Sequence, residues 1–285
     1  MSGPISLAKR NVLCYFRDRG SVVFSLMAVI IVVLLYLLFL RNMLIGSYPD
    51  MDGMSQLVDA WVLAGILGIV PVTTSAGSLQ TMVEDRSNGR MRDVLVTPMR
   101  PWEVAAGYIM STFLVGLIMS IITLVVCVVY LAATGCPLSA GGIAVSAVLL
   151  VPSSLSGSII IYAITSFLRS TGAFSGFFVV ISVLIGFLAG IYMPMGTMPS
   201  GMQVVGTLVP ASHMAALFRD SLAGEAMDSV FAGAPPDVLE SFRTDMGFDL
   251  SLGGFGFSAE ASIAYVLAVT VVFFAIAVLS IRRGR

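Results

Sequence analysis

Five stretches of this sequence contain no Asp, Glu, Lys or Arg, and their lengths limit the fold more than any motif does. Gly20 to Leu40 runs 21 residues, Ala60 to Val83 runs 24, Val104 to Leu168 runs 65, Ser170 to Phe218 runs 49 and Ala261 to Ile281 runs 21. A helix rising 1.5 Å per residue crosses roughly 30 Å of hydrocarbon in about 20 apolar residues. The 65-residue stretch therefore holds two spans, broken at Ala132 to Gly142, where Gly135, Pro137, Gly141 and Gly142 favour a turn. The 49-residue stretch holds one span and a remainder interrupted by prolines. Hydrophobic residues make up 58% of the chain and charged residues 11%, against about a quarter charged in soluble domains. A soluble fold of this size cannot hide so much apolar surface, so a soluble enzyme, a nucleic-acid binder and a disordered tail are excluded as the main reading. The expectation is an all-α membrane protein with six transmembrane helices at 21–40, 60–83, 105–131, 143–167, 173–193 and 260–281.

The first span carries 15 Val, Ile, Leu or Phe between Ser21 and Leu40, too long an apolar run for the core of a cleaved signal peptide, which spans about 7–15 residues. It is expected to stay as a membrane helix. Twelve of the 15 basic residues fall on one set of loops: Lys9, Arg10, Arg17, Arg19, Arg86, Arg90, Arg92, Arg100, Arg169, Arg282, Arg283 and Arg285. The other set holds Arg41, Arg219 and Arg243 with 11 of the 16 acids. The basic side faces the cytoplasm, which predicts both termini inside and a multi-pass protein of the cell membrane, surrounded by lipid.

Catalytic chemistry is scarce. There is one histidine, His213, and one lysine, Lys9, which lies in SLAKRN with no glycine pair before it. A P-loop needs a lysine after such glycines to reach the β/γ-phosphates, so this chain is not expected to bind ATP by that route. Neither an HExxH nor a CxxC site occurs, and Cys14, Cys127 and Cys136 fall in three different environments, so no metal, disulfide framework or cofactor is expected on the chain. No formal charge sits at the centre of any span, where ion-driven carriers place carboxylates, histidines or arginines. The energy for any transport is therefore expected to come from outside the chain.

Two segments on the basic side stand out. At 100° per residue, Ile5, Ala8, Val12, Tyr15 and Phe16 share one helix face while Arg10, Asn11, Arg17 and Asp18 share the other, which reads as an interfacial helix over 1–20 or as a plain basic flank. Between spans two and three, Glu84 to Pro98 holds six charged residues but also carries Met91, Val94 and Leu95 at i, i+3 and i+4. Ser87 or Asn88 can cap a short helix and Pro98 ends it. Such a stripe either docks on a partner or packs on the protein's own helix ends.

At these residues the sequence resembles the membrane subunits of ABC-2 type ABC transporters, including drug and antibiotic exporters of the daunorubicin-resistance kind. The loop is similar to the family signature through Glu84, Gly89, Leu95, Thr97 and Pro98, and span three starts in a similar way with Pro101, Trp102, Glu103, Val104 and Gly107, although Tyr108 stands where lysine is common. After span five, Gly190 to Pro194, Met198, Pro199, Val209, Pro210 and Arg219 are similar as well, with His213 in a place often held by tyrosine. The resemblance implies that 84–98 is a coupling helix, with Glu84, Asp85, Arg86, Gly89, Arg92, Leu95, Thr97 and Pro98 as its coupling residues, seated in a separate cytosolic ATP-binding subunit that holds ATP and Mg. It implies a second permease copy or a homologous permease as partner, and export of an amphipathic drug, antibiotic or lipid-like substrate. An ATPase-independent ion-coupled carrier or membrane scaffold is the alternative.

On the other side, Pro194, Pro199 and Pro210 break an apolar stretch too interrupted for a full span. Irregular backbone at membrane depth needs surrounding protein or a water-filled cavity. A re-entrant hairpin is expected within 194–259, with Pro194, Pro199, Pro210 and His213 as an extracytoplasmic gate. A short amphipathic helix opened by Pro235, Pro236 and Asp237, with Val238, Leu239, Phe242 and Met246 on its apolar face and a stop at Gly247, either covers the exit or decorates the surface. Pro71 with Thr73, Thr74 and Ser75 is expected to kink span two. With Gly186 and Gly190 of span five these residues either line a substrate path or serve helix packing.

Overall fold

The computed structural model describes residues 3–25, 27–46, 51–90, 99–168 and 170–283. Helix α1 (Gly3–Arg17) is followed by a chain of shorter pieces, α2 (Arg19–Ser25), α3 (Met27–Leu35), a π-helical turn (Tyr36–Leu40) and α4 (Arg41–Gly46). Then come the long helices α5 (Met54–Ser87), α6 (Pro101–Ala133), α7 (Ala140–Ser166) and α8 (Thr171–Leu188). A short 3-10 turn (Met195–Thr197) leads to α9 (Ser200–Leu208), α10 (Pro210–Val230) and α11 (Pro236–Asp245). A hairpin, β1 (Leu250–Leu252) paired antiparallel with β2 (Phe255–Phe257), precedes the last helix, α12 (Ala259–Arg283).

Among the described residues, α5, α6, α7, α8 and α12 are long and apolar enough to cross a membrane. They match the expected spans two to six to within a few residues, and the expected turn at 132–142 is there, with Gly135 at φ +74°. The expected first span is helical in several pieces, and its helical path extends from Arg19 to Gly46 apart from residue 26, which is outside the described set. Span five ends sooner than expected. Gly190 takes φ +65°, a left-handed conformation open to glycine without a Cβ penalty, so residues 189–193 leave the helix.

Helix α5 is the centre of the bundle. Its apolar window is almost wholly buried, whereas those of α8 and α12 are mostly exposed. Leu57, Trp61, Leu67, Ile69 and Leu79 are all fully enclosed. Glycines allow its closest approaches: a Cβ built on Gly68 would stand 2.7 Å from the Ala215 backbone of α10, and one on Gly157 of α7 would stand 3.1 Å from the Pro71 carbonyl. Pro71 itself is accommodated inside the continuous helix. The outer faces, with Val126, Val148, Val180 and Val271 exposed, present apolar side chains all round, as a bundle with lipid for solvent must.

Two expectations are corrected and one element is new. Helix α1 forms, but it buries Leu7, Ala8, Asn11 and Tyr15 while Ile5 is exposed. The docked face is rotated because Asn11 finds a partner inside, Ser111 Oγ at 3.5 Å. Residues 84–87 do not open a separate helix. Nothing before Gly89 breaks the α5 ladder, so it runs through Ser87, Asn88 N–H donates to the Glu84 carbonyl, and Gly89 turns the chain away at φ +75°. The β-hairpin was not expected at all, since its three-residue strands are too short to show a period.

Helices α9 and α10 meet at 87° and together form a broken span or a re-entrant loop. Arg219 of α10 is 1% exposed and, among the described residues, forms no ion pair with a carboxylate. Its Nη1 donates to Gly247 O at 3.0 Å, and its Nη2 to Ala189 O at 3.1 Å and Gly190 O at 2.8 Å. The guanidinium also lies 4.8 Å from the Trp61 ring, and Trp61 Nε1 donates to Met246 O at 2.6 Å. A cation is thus held by the carbonyls that end α8 and α11, the negative poles of two helices. The expected amphipathic helix is α11, with Phe242 and Met246 buried and Gly247 at φ +69°, and Arg219 and Trp61 clamp its end to the bundle. Replacing Arg219 by Met leaves three buried acceptors without a donor, at a cost of about 3 kcal/mol. The purified Arg219→Met chain should melt several degrees lower than wild type, and an unchanged melting temperature would refute the clamp.

Candidate functional site

Glu84, Asp85 and Arg86 end helix α5. Successive helical residues point about 100° apart, so three adjacent charges reach three different neighbours. Asp85 is 1% exposed, and its Oδ2 accepts from Arg10 Nη2 at 2.6 Å and from the Tyr108 hydroxyl at 3.0 Å. One carboxylate therefore joins α1, α5 and α6. Burial works against the Arg10 charge, but the hydrogen bond and charge of Asp85 outweigh it and hold the guanidinium pKa above its usual range. Arg86 Nη1 donates to Ser166 O at 3.3 Å, placing a cation on the carbonyl end of α7. Glu84 turns to a third side. Its Oε1 accepts from Gln80 Nε2 at 2.8 Å, and it lines a groove of about 280 Å³ with Gln80, Thr171, Phe174, Ser175 and Phe178 among its walls.

Of the remaining expected coupling residues, Gly89 is the turn just described. Arg92, Leu95, Thr97 and Pro98 lie outside the described residues, as do Met91 and Val94 of the apolar stripe. The chain re-enters at Met99, whose side chain lies so close to Gly3 that an added Cβ would meet its sulfur. Pro101 then opens α6, with Arg100 N–H donating to Glu103 Oε2 at 2.5 Å. The segment thus leaves from α5 and returns beside the start of α1, both points tied to the Asp85 junction.

The opposite end of α5 carries a matching arrangement that sequence reasoning missed. Asp59 is 2% exposed, and its Oδ1 accepts from the Tyr36 hydroxyl and from Arg41 Nε at 3.1 Å, while Tyr130 OH reaches Oδ2 at 3.5 Å. Tyr36 sits in the π-helical turn, a local widening common at functional positions. Asp59 and Asp85 are 26 residues apart, about 39 Å along the helix, which exceeds the roughly 30 Å hydrocarbon core. Both carboxylates can therefore stand at its borders. The available signal was slight: Asp59 directly precedes a charge-free stretch, and Tyr108 replaces the family's common lysine.

The expected gate residues shape the broken span. Pro194 and Pro199 precede the 3-10 turn and α9, and Pro210 is the first residue of α10. His213 is fully buried, with Nε2 donating to Thr207 O at 2.8 Å and Nδ1 accepting from Ser262 Oγ at 3.2 Å. Tyr265 OH donates to Leu208 O at 2.8 Å and Ser212 Oγ to Leu188 O at 3.0 Å. These side chains satisfy carbonyls that the bend removes from a helical ladder.

The expected path residues are spread out. Thr73 and Thr74 both donate to Val70 O of their own helix. Ser75 Oγ is buried without a partner near Gly116. Gly186 lies against the Tyr192 ring and Gly190 forms the turn. A cavity of about 260 Å³ below the bend is lined instead by Gly68, Val72, Ser153, Ser156, Ile185 and Pro210, among others. Among the described residues, no group of three or more His, Cys, Asp or Glu could hold a metal ion.

Residues 46–279 match the family model described as ABC-2 family transporter protein. The chain belongs to this family. It is a multi-pass membrane protein and the permease component of an ABC transporter, which implies an ATP-binding partner. No curated protein matches it closely enough to lend it a substrate. The match starts after α1 and the first span, so the Arg10 side of the junction lies outside the matched region.

The Asp85 junction is testable by a double-mutant cycle. Asp85→Asn should lower stability by about 2–3 kcal/mol, below the range for fully buried pairs because Arg10 is 40% exposed. Combined with Tyr108→Phe, the losses should add to less than their sum by about 1 kcal/mol. Strictly additive melting shifts would mean that the two side chains are not coupled.

Proposed function

We propose that this chain is the membrane half of an ATP-driven exporter, in which 84–98 docks in a cleft of a separate cytosolic ATP-binding subunit. ATP and Mg belong to that subunit, and this chain, with one lysine and no P-loop, contributes no nucleotide site. The observation that carries the proposal is the Asp85 junction. The segment proposed to take the push begins where the most buried helix is bolted to α1 and α6, so a displacement there acts on three helices at once. Both termini and this segment lie in the cytoplasm, consistent with the basic residues on that side, and the membrane is the cell membrane.

The α9–α10 pair is a re-entrant hairpin in this reading, closing the outer end of the path with Pro194, Pro199, Pro210 and His213. Asp59 and its partners stand on that same side. Two copies of the chain, or one copy and a homologous permease, work with two ATP-binding subunits, and the substrate is amphipathic, since the bundle interior offers mainly apolar walls and hydroxyls.

Leu95→Asp puts a charge on the docking stripe and Gly89→Pro denies the turn its left-handed backbone. Each should abolish export in reconstituted vesicles and lower co-purification of the ATP-binding subunit at least ten-fold. Unchanged export and unchanged pull-down would remove the coupling assignment, and full transport by this chain alone would remove the ATP-driven reading.

A further inference from the structure

Glu84 stands apart from the charges beside it. Asp85 is taken by Arg10 and Tyr108, and Arg86 is turned to the Ser166 carbonyl. Among the described residues the Glu84 side chain receives one hydrogen bond, from Gln80, and no ion pair. It stands half-buried at the head of a groove.

Phe178 and Val179 of the groove also line a second hollow of about 330 Å³ between α3 and α8, with Ile31, Leu35, Ser182 and Phe187 on its walls. The two hollows adjoin on one face of α8, whose residues from Thr171 to Phe187 rise about 24 Å. Three hydroxyls follow this face, Thr171, Ser175 and Ser182, spaced at i, i+4 and i+11. Polarity therefore falls from one end to the other: a carboxylate, an amide and two hydroxyls at the α5 end, then aromatic and aliphatic walls with a single serine. The volumes are about 280 and 330 Å³, at the lower end of the range of about 300–1,000 Å³ for small-molecule sites.

We infer that this groove binds an amphipathic organic cation, with Glu84 taking the positive head and the Phe178–Phe187 face taking the apolar body. This rests on the export reading for its biological sense, and the cation would be the transported molecule or part of its class. Charge complementarity selects the occupant. A neutral lipid chain or the helix of a second copy would fill the apolar part without engaging the Glu84 charge, whereas a lipophilic cation matches both ends.

The full chain in zwitterionic lipid nanodiscs, with empty nanodiscs as the baseline, is titrated with tetraphenylphosphonium and with tetraphenylborate, two ions of like shape and opposite charge. Wild type should bind the cation about five-fold or more tightly than the anion, the gain of one partly buried ion pair. Glu84→Gln should erase this preference, and Phe178→Ala should weaken both ions. Gln80→Lys serves as a second variant, placing a cation from the protein beside Glu84. It should displace tetraphenylphosphonium while leaving the melting temperature unchanged. Equal binding of the two ions, or cation binding indifferent to both Glu84→Gln and Gln80→Lys, would overturn the inference and assign the groove to lipid or a second copy. Because ligand binding is read here without the ATP-binding subunit, its failure is distinct from failure of the coupling segment, which the pull-down reports.

Discussion

A buried carboxylate at each end of one helix organises this protein. In a bilayer the backbone of a helix satisfies itself, but a polar side chain has no water to turn to. Asp59 and Asp85 are enclosed almost completely, and each is met by an arginine and a tyrosine from other helices. Removing the arginine would leave a carboxylate buried without its ion pair, so sliding or rotating the α5 pillar without its neighbours is costly. The apolar packing along the pillar supplies area but little register, whereas the two polar ends fix it.

The same rule explains the broken span. A right-angled bend takes carbonyls out of the helical ladder, and His213 and Tyr265 meet two of them, while Ser212 meets the Leu188 carbonyl at the end of α8. Arg219 does so for the ends of α8 and α11. The lone histidine of the chain thus has a structural role. The polar side chains around the bend tie α9, α10, α12 and the end of α8 into one assembly, joined to the pillar through Trp61 and Arg219.

These two sets of contacts mark where movement would be transmitted. In the proposed coupling, a push on the segment after Gly89 would reach α1 and α6 through Asp85, and the pillar would carry it along its length to Asp59 and the assembly around the bend. The groove headed by Glu84 runs beside this lever, between the pillar's end and α8. The charged end of α5 therefore faces both a proposed partner and a proposed ligand, through side chains that differ only in their direction around the helix.

Much of this architecture was legible in the residues alone. The spans appeared as charge-free intervals, because a charge in hydrocarbon is costly enough to be excluded from nearly every position, and the turns appeared as glycine and proline where the chain must reverse. Helix α11 and its stop at Gly247 were legible for the same local reasons. Pairings were not. That Asp85 meets Arg10 across 75 residues, that Tyr108 serves the same carboxylate, or that Asn11 faces inward depends on which helices lie side by side. Apolar periodicity cannot decide this when all faces of a membrane helix are apolar, since lipid and protein neighbours then look alike in sequence. Local energetics wrote the helices and their ends into the chain, and only the tertiary structure, by bringing distant polar groups together out of reach of water, decided which of them hold the bundle together.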